Sequence, residues 1–388
     1  MGKINNISES WKGHSFEEVE TFIKEEANSL VRRLNQIIPM SLNPEFNKSW
    51  ENNEYLNVES TIKNGLKTIK EGLDTAYGDY AIPFTIEATQ DGTTVYFRQS
   101  SFAIDDGLNP LKVDVSIDNG KTWIEVTAAP AGDDVPGAIL VKLDKGEKVL
   151  ICGENEAYGY YSSPDNADDI CENCNFYADK PCYIYGNIMS LVGGEDFARL
   201  HEVKEYAFAY FFSDFNEELD WSWVLSKEGK ELLLPATTLA NSCYKYMFFG
   251  CTGLTIAPKL PATTLANKCY CYMFYSCTSL VSAPELPATT LTEGCYDAMF
   301  SGCTSLTVAP ELPAITLISD CYMNIFSRCT SLSYIKAMFT TTPGVDTTYN
   351  WVDGVKATGT FVKNSAATWN VTGVNGVPAD WTIETASK

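Results

Sequence analysis

Four consecutive copies of one 26-residue pattern, Leu-Pro-Ala-x-Thr-Leu-x-x-x-Cys-Tyr-x-x-x-Phe-x-x-Cys-Thr-x-Leu, run from Leu234 to about Leu332. The Leu-Pro pairs fall at Leu234-Pro235, Leu260-Pro261, Leu286-Pro287 and Leu312-Pro313. The cysteine pairs keep the same step: Cys243/Cys251, Cys269/Cys277, Cys295/Cys303 and Cys321/Cys329. A period in the range of about 20–50 residues marks stacked units that bury their apolar edges against one another, and it predicts a solenoid. Such a stack presents a long repetitive surface and needs no cleft, so binding or scaffolding is expected before chemistry.

Charge sharpens that expectation. The chain of 388 residues has a formal net charge of −22, which argues against nucleic-acid binding, where Lys and Arg must neutralise phosphates. Residues 234–338 are neutral, however. Their acids are Glu285, Glu293, Asp297, Glu311 and Asp320, and their bases are Lys245, Lys259, Lys268, Arg328 and Lys336. A neutral face rich in Thr, Ser and Tyr either suits uncharged polar partners, such as glycans or protein loops, or simply solvates the repeats.

Of the thirteen cysteines, nine lie in the repeats. At solenoid spacing they read as small, soft, reduced thiols packed in columns. No apolar run reaches the ~18–20 residues of a membrane span, so no membrane insertion is expected. The opening Met1-Gly2-Lys3-Ile4-Asn5-Asn6 lacks the basic-then-apolar layout of a secretory leader, which predicts folding in a cytoplasm.

The chain divides by pattern into four segments. Residues 1–80 read as helical: Ser15 and Glu18 form a capping box that opens a helix to about Ile38, where Pro39 stops it. A second helix is expected from about Leu56 to Tyr77, with Ile62, Leu66, Ile69 and Leu73 forming the seam of a short coiled coil. That seam needs a partner, either the first helix or further copies of the chain. Residues 81–185 alternate with period two and predict a small β-sandwich, with strands at 84–88, 94–98, 138–143 and 147–152. Its clearest element is a hairpin turning at Asn119-Gly120, with Val115 opposite Ile124 and Val113 opposite Val126. Residues 186–338 are the repeats, opened by a degenerate turn in which Phe211-Phe212 aligns with Met247-Phe248. Residues 339–388 predict a β cap, with Trp351, Phe361, Trp369 and Trp381 as plugs.

Little points to catalysis. The two histidines, His14 and His201, sit in no recognisable catalytic setting, and there is no phosphate loop, His-Glu-x-x-His or calcium loop. Carboxylate pairs such as Glu217/Glu218 are too common in so acidic a chain to mark a glycosidase. No catalytic residue and no cofactor is expected. Cys171-x-x-Cys174 with Cys182 and Cys152 reads as unliganded cysteines, with a closed structural zinc site or a disulfide as alternatives.

The repeat text Cys-Tyr-x-x-Met-Phe-x-x-Cys-Thr-Ser-Leu-x-x-Ala-Pro-Glu-Leu-Pro-Ala resembles the BspA-like (Treponema pallidum-type) leucine-rich repeats. The resemblance spans roughly residues 183–383, and the last copy departs from it at Ile325 and Arg328. It implies that each Ser-Leu-x-x-Ala stretch is a strand of a stacked parallel sheet. The columns Thr255/Val281/Thr307 and Lys259/Glu285/Glu311 would then lie along that face as ligand contacts. The fold class expected is therefore multidomain α+β: N-terminal helices, a small β-sandwich and a C-terminal leucine-rich-repeat solenoid with parallel β stacking.

The opening Ser10-Trp11-Lys-Gly-His-Ser-Phe-Glu-Glu-Val-Glu-Thr-Phe-Ile-Lys24 resembles the start of virion-associated proteins of crAss-like phages of gut Bacteroidales. With the leader absent, this implies a non-enzymatic virion structural protein, a head or tail fibre or decoration. Its N-terminal helices would bind other virion proteins and assemble a homo-oligomer, with a trimer as the first expectation. Its repeats would contact host-surface or mucosal glycan or protein. The alternative is an exported bacterial BspA-like adhesin at the cell surface.

Overall fold

Runs such as Phe-Thr-Ile-Glu-Ala and Ala-Ile-Leu-Val-Lys-Leu alternate on a pleat and carry β-branched residues that suit it. In the computed structural model, which describes residues 81–99, 109–130, 136–161, 171–213 and 221–386, they become strands. The chain forms two compact units, Met1–Ala81 and Ile82–Lys388, and the fold below is that of the second.

The strands before the repeats are β1 (Phe84–Ala88), β2 (Thr93–Gln99), β3 (Lys112–Ser116), β4 (Ile124–Thr127), β5 (Ala129–Pro130) and β6 (Ala138–Leu143). They continue with β7 (Lys148–Cys152), β8 (Gly159–Tyr161), β9 (Cys171–Ala178), β10 (Cys182–Asn187), β11 (Val224–Leu225) and β12 (Leu232–Leu233). One sheet runs β11-β10-β1-β7-β3-β4, with β12 also on β10, and the other runs β5-β2-β9-β8, with β6 on β2. The two share a core in which Phe84 of the first meets Phe176 of the second at 5.9 Å between ring centres. Because β11 and β12 pair with β10, the first sheet crosses the expected boundary at 185/186.

The β3–β4 hairpin has the register read from its sequence, Val113 opposite Val126 and Val115 opposite Ile124. Asn119 and Gly120 take φ of 61° and 84°, the left-handed pair such a turn requires. The tip is held by a side chain as well as by the ladder. Asp118 accepts hydrogen bonds from the Thr122 amide and hydroxyl, the Ser116 hydroxyl and the Lys121 amide, which hold its carboxyl down at about 2.

In the repeats each 26-residue turn lies on the next. Tyr244, Tyr270, Tyr296 and Tyr322 stack at 5.8, 5.9 and 6.0 Å, and Phe248, Phe274, Phe300 and Phe326 at 5.3, 5.7 and 6.0 Å. The degenerate first turn joins both columns, since Phe208 stacks on Tyr244 and Phe212 on Phe248, as the alignment of Phe212 with Phe248 anticipates. Backbone amides divide between two duties. The amides of Tyr270, Tyr272 and Phe274 reach the next turn (Cys295, Asp297 and Met299 carbonyls), while those of Cys271, Met273 and Tyr275 bond three residues back. These backbone amides are thereby paired without a strand. The conformation needs a positive φ at every fourth residue, met at Lys268, Tyr272 and Ser276 in one turn and Gly294, Ala298 and Gly302 in the next.

The expected α+β class with a leucine-rich-repeat solenoid and parallel β stacking is therefore corrected. Strand and turn dominate, and the helical elements among the described residues are short 3-10 segments such as Ile188–Leu191. The N-terminal helices and coiled coil lie outside the described residues. Among the described residues no strand falls within the four copies at 234–332, where the Ser-Leu-x-x-Ala stretches meet only as isolated bridges such as Ile256↔Ser282. Proline explains this: Pro258, Pro284 and Pro310, with Pro261, Pro287 and Pro313, remove two ladder donors from each turn. Where the fourth turn places Lys336 and Phe339 at those positions, a parallel sheet begins at once. It comprises β13 (Tyr334–Ala337), β14 (Thr360–Lys363) and β15 (Thr382–Thr385). Over this cap Trp351, Phe361, Trp369 and Trp381 are buried, and the three indole N–H groups donate to the carbonyls of Gly376, Phe339 and Lys356.

The repeat cysteines are free and buried. Cys251, Cys277, Cys303 and Cys329 each donate the thiol to a phenylalanine carbonyl one turn earlier, at 3.0–3.2 Å. Burial pushes Cys329 up to about 12 and Cys321 up to about 11. Since the thiolate is the nucleophile, a thiol reagent is expected to leave all nine repeat cysteines unmodified in the native protein and to count them after denaturation. Rapid native labelling at Cys277 or Cys303 would contradict the packed column.

Candidate functional site

The six residues expected to contact a ligand all reach the surface. Thr255, Val281 and Thr307 stand in one column, tied by Val281 N–H donating to the Thr255 carbonyl at 3.2 Å. Val281 is 56% exposed, beside Ile256 and Val308 of the neighbouring column at 55% and 53%. This is a mixed apolar and hydroxyl strip.

The second column differs. Lys259 is paired with Glu231 at 2.9 Å, and Glu311 with Lys336 at 2.8 Å, a hydrogen bond that raises the Lys336 amine. Between them Glu285 is exposed and, among the described residues, makes no hydrogen bond or ion pair. Glu285 and Glu311 sit at an open groove of about 320 Å³ with Pro284, Pro287, Pro310 and Pro313. Its construction is local. Leu286 and Leu312 are buried and fix the register of two consecutive turns; Pro284 and Pro310 are buried beside them, while Pro287 is exposed and Pro313 half-buried, and each ring holds φ near −65°. The carboxylates were within reach of sequence reasoning, but the prolines were not singled out. The signal was the text Ala-Pro-Glu-Leu-Pro, present in two successive turns at 283–287 and 309–313, whereas the turn before has Lys259 in place of the acid.

A third feature lies just beyond the groove in each turn. Thr237/Thr238, Thr263/Thr264 and Thr289/Thr290 are exposed in pairs, and Thr316 and Thr342 prolong one rail. Buried Ala236, Ala262 and Ala288 on one side and Leu239, Leu265 and Leu291 on the other pin these threonines outward. Thr238 and Thr264 form a parallel bridge, which sets neighbouring rungs about 4.8 Å apart.

The cysteine cluster is dispersed over the strands. Cys152 is on β7, opposite Asp114, Cys174 is on β9, opposite Gln99, and Cys182 is on β10, opposite Ala88. Burial pushes all three thiols up to about 12. Among the described residues no three His, Cys, Asp or Glu side chains converge as a metal site. Cys171 lies on β9. His201 places Nδ1 3.4 Å from the Pro235 carbonyl at the entry to the repeats, and His14, Glu217 and Glu218 lie outside the described residues.

One titratable group escaped sequence reasoning. Asp297 is 9% exposed; Oδ2 accepts from the Cys271 thiol at 3.7 Å, and Oδ1 has no hydrogen-bond partner. Burial pushes its carboxyl up to about 7, and Asp320 adds to the rise, while Cys271, Lys268 and Asn324 oppose it.

No family model, no curated protein and no solved structure matches the chain.

Proposed function

We propose that the protein is a non-enzymatic component of a phage particle, a head or tail fibre or decoration, whose stacked turns bind uncharged glycans of the host surface or mucosal layer. The observation that carries this reading is the paired threonine ladder. Each rung offers a hydroxyl that both donates and accepts, together with a methyl group, at a fixed rise and without charge. A polymer of hydroxylated rings can meet such a ladder at several rungs, and weak contacts then add by multivalency. The balance of five acids and five bases over residues 234–338, in a chain of net charge −22, keeps this face open to neutral ligands. Residues 1–80 would join the other virion proteins and assemble the chain as a trimer, leaving the repeats to face outward.

Mass spectrometry of purified particles, with negative-stain imaging of labelled protein, tests the location. Absence from every particle would sink the virion reading, and recovery in a bacterial envelope fraction would put an adhesin in its place. For the ligand, retention on immobilised mucin is expected to fall about tenfold when Thr264→Lys and Thr290→Lys are combined, because charge and bulk then interrupt two rungs. Unchanged retention would remove the ladder from the mechanism.

A further inference from the structure

The proline groove between the second and third turns asks for two chemistries at once. Its walls are the rings of Pro284, Pro287, Pro310 and Pro313, which carry no amide N–H and so cannot donate to a polar ligand atom. Its rim carries carboxylates, and of these only Glu285 lacks a cation among the described residues, since Lys259 is taken by Glu231 and Lys336 by Glu311. The column thus reads paired, unpaired, paired.

We propose that this groove binds an arginine or lysine side chain presented by an extended segment of a partner protein. The hydrocarbon stem lies between the proline rings and the cationic head meets Glu285. These two side chains combine a long apolar stem with a charged tip, and they bury the first while keeping the second at the surface. A neutral sugar fits less well, because it brings no cation to Glu285. At about 320 Å³ the groove stands at the small end of the ~300–1,000 Å³ range of ligand pockets, which suits one side chain with its flanking main chain. The net charge of −22 draws basic partners toward the molecule from a distance. This binding is separate from the glycan reading and stands or falls without it.

The full chain is titrated with acetyl-Gly-Arg-Gly-amide and followed by amide chemical shifts. Saturable shifts are expected at Ala283, Glu285, Leu286 and Glu311, and the citrulline version of the peptide should bind about three- to fivefold more weakly. Glu285→Gln should weaken binding about three- to fivefold, the range of an exposed ion pair. Ionic strength near 1 M, where screening reaches ~3 Å, should weaken it similarly. Glu293→Gln, an exposed acid outside the groove, should leave affinity unchanged. Equal binding of the citrulline peptide, equal loss in both variants, or no saturable shift would each overturn the proposal.

Discussion

Replacing Phe274 by alanine is expected to cost about 3–5 kcal/mol of folding free energy, the range for truncating a fully buried phenylalanine. The ring is 0% exposed and lies almost parallel to both neighbours, 5.3 Å from Phe248 at 5° and 5.7 Å from Phe300 at 6°. The cost depends on how far the site can collapse, and here collapse is blocked. The Phe248 and Phe274 amides are bonded to the Met273 and Met299 carbonyls at 2.9 Å, so the rise between turns is fixed by backbone on both sides of the void. The Phe274 carbonyl also receives the Cys303 thiol, which resists any shift of the main chain. Phe249, one position along in the previous turn, is only half-buried, and its truncation should cost about 1 kcal/mol. Urea titrations of the two variants, read by circular dichroism, measure the contrast. A Phe274→Ala variant within 1 kcal/mol of the parent would show that the column is not load-sharing.

How far the sequence could carry this structure depended on which contacts each residue answers to. Residues 84–88 and 138–143 were legible as strands because alternation reports a sheet face within one segment. The register of the repeats was legible because identical residues at a fixed step must stack on themselves, and the offset of the first turn followed from Phe212. The backbone inside a turn was not legible. Tyr272 and Ala298 adopt positive φ, which neither side chain advertises, and resemblance to a repeat family suggested strands where the prolines forbid them. The site divides in the same way. Exposure of Lys259, Glu285 and Glu311 could be read from one turn. That Lys259 turns back to Glu231, and Lys336 to Glu311, leaving Glu285 alone, is a relation between turns. Asp297 was one acid among many until Cys271 and Asn324, 26 residues before and 27 after in the chain, were placed around it.

That buried acid yields the second large effect, a loss of stability as pH rises from about 4 to about 7. The carboxyl has an ordinary value of 3.8 and is pushed up to about 7 in the folded chain, so the two states differ in bound protons only between those limits. Below pH 4 both states hold the proton and Asp297 costs nothing. Between 4 and 7 the folded state keeps its proton while the unfolded state sheds it, so stability falls by about 1.4 kcal/mol per pH unit. Above 7 both are ionised and the penalty levels off, at about 4 kcal/mol at most. Asp297→Asn cannot ionise and still offers an oxygen to the Cys271 thiol. The stability of the variant relative to the parent should therefore climb through the same window and then flatten. Asp320→Asn removes the neighbouring charge that helps raise the group, so it should move the window to lower pH without abolishing it. Denaturant titrations at half-unit pH steps would resolve both effects. Parallel stability curves for parent and Asp297→Asn would mean that the carboxylate is solvated in the native state, with the packing around Cys271 and Asn324 open to water.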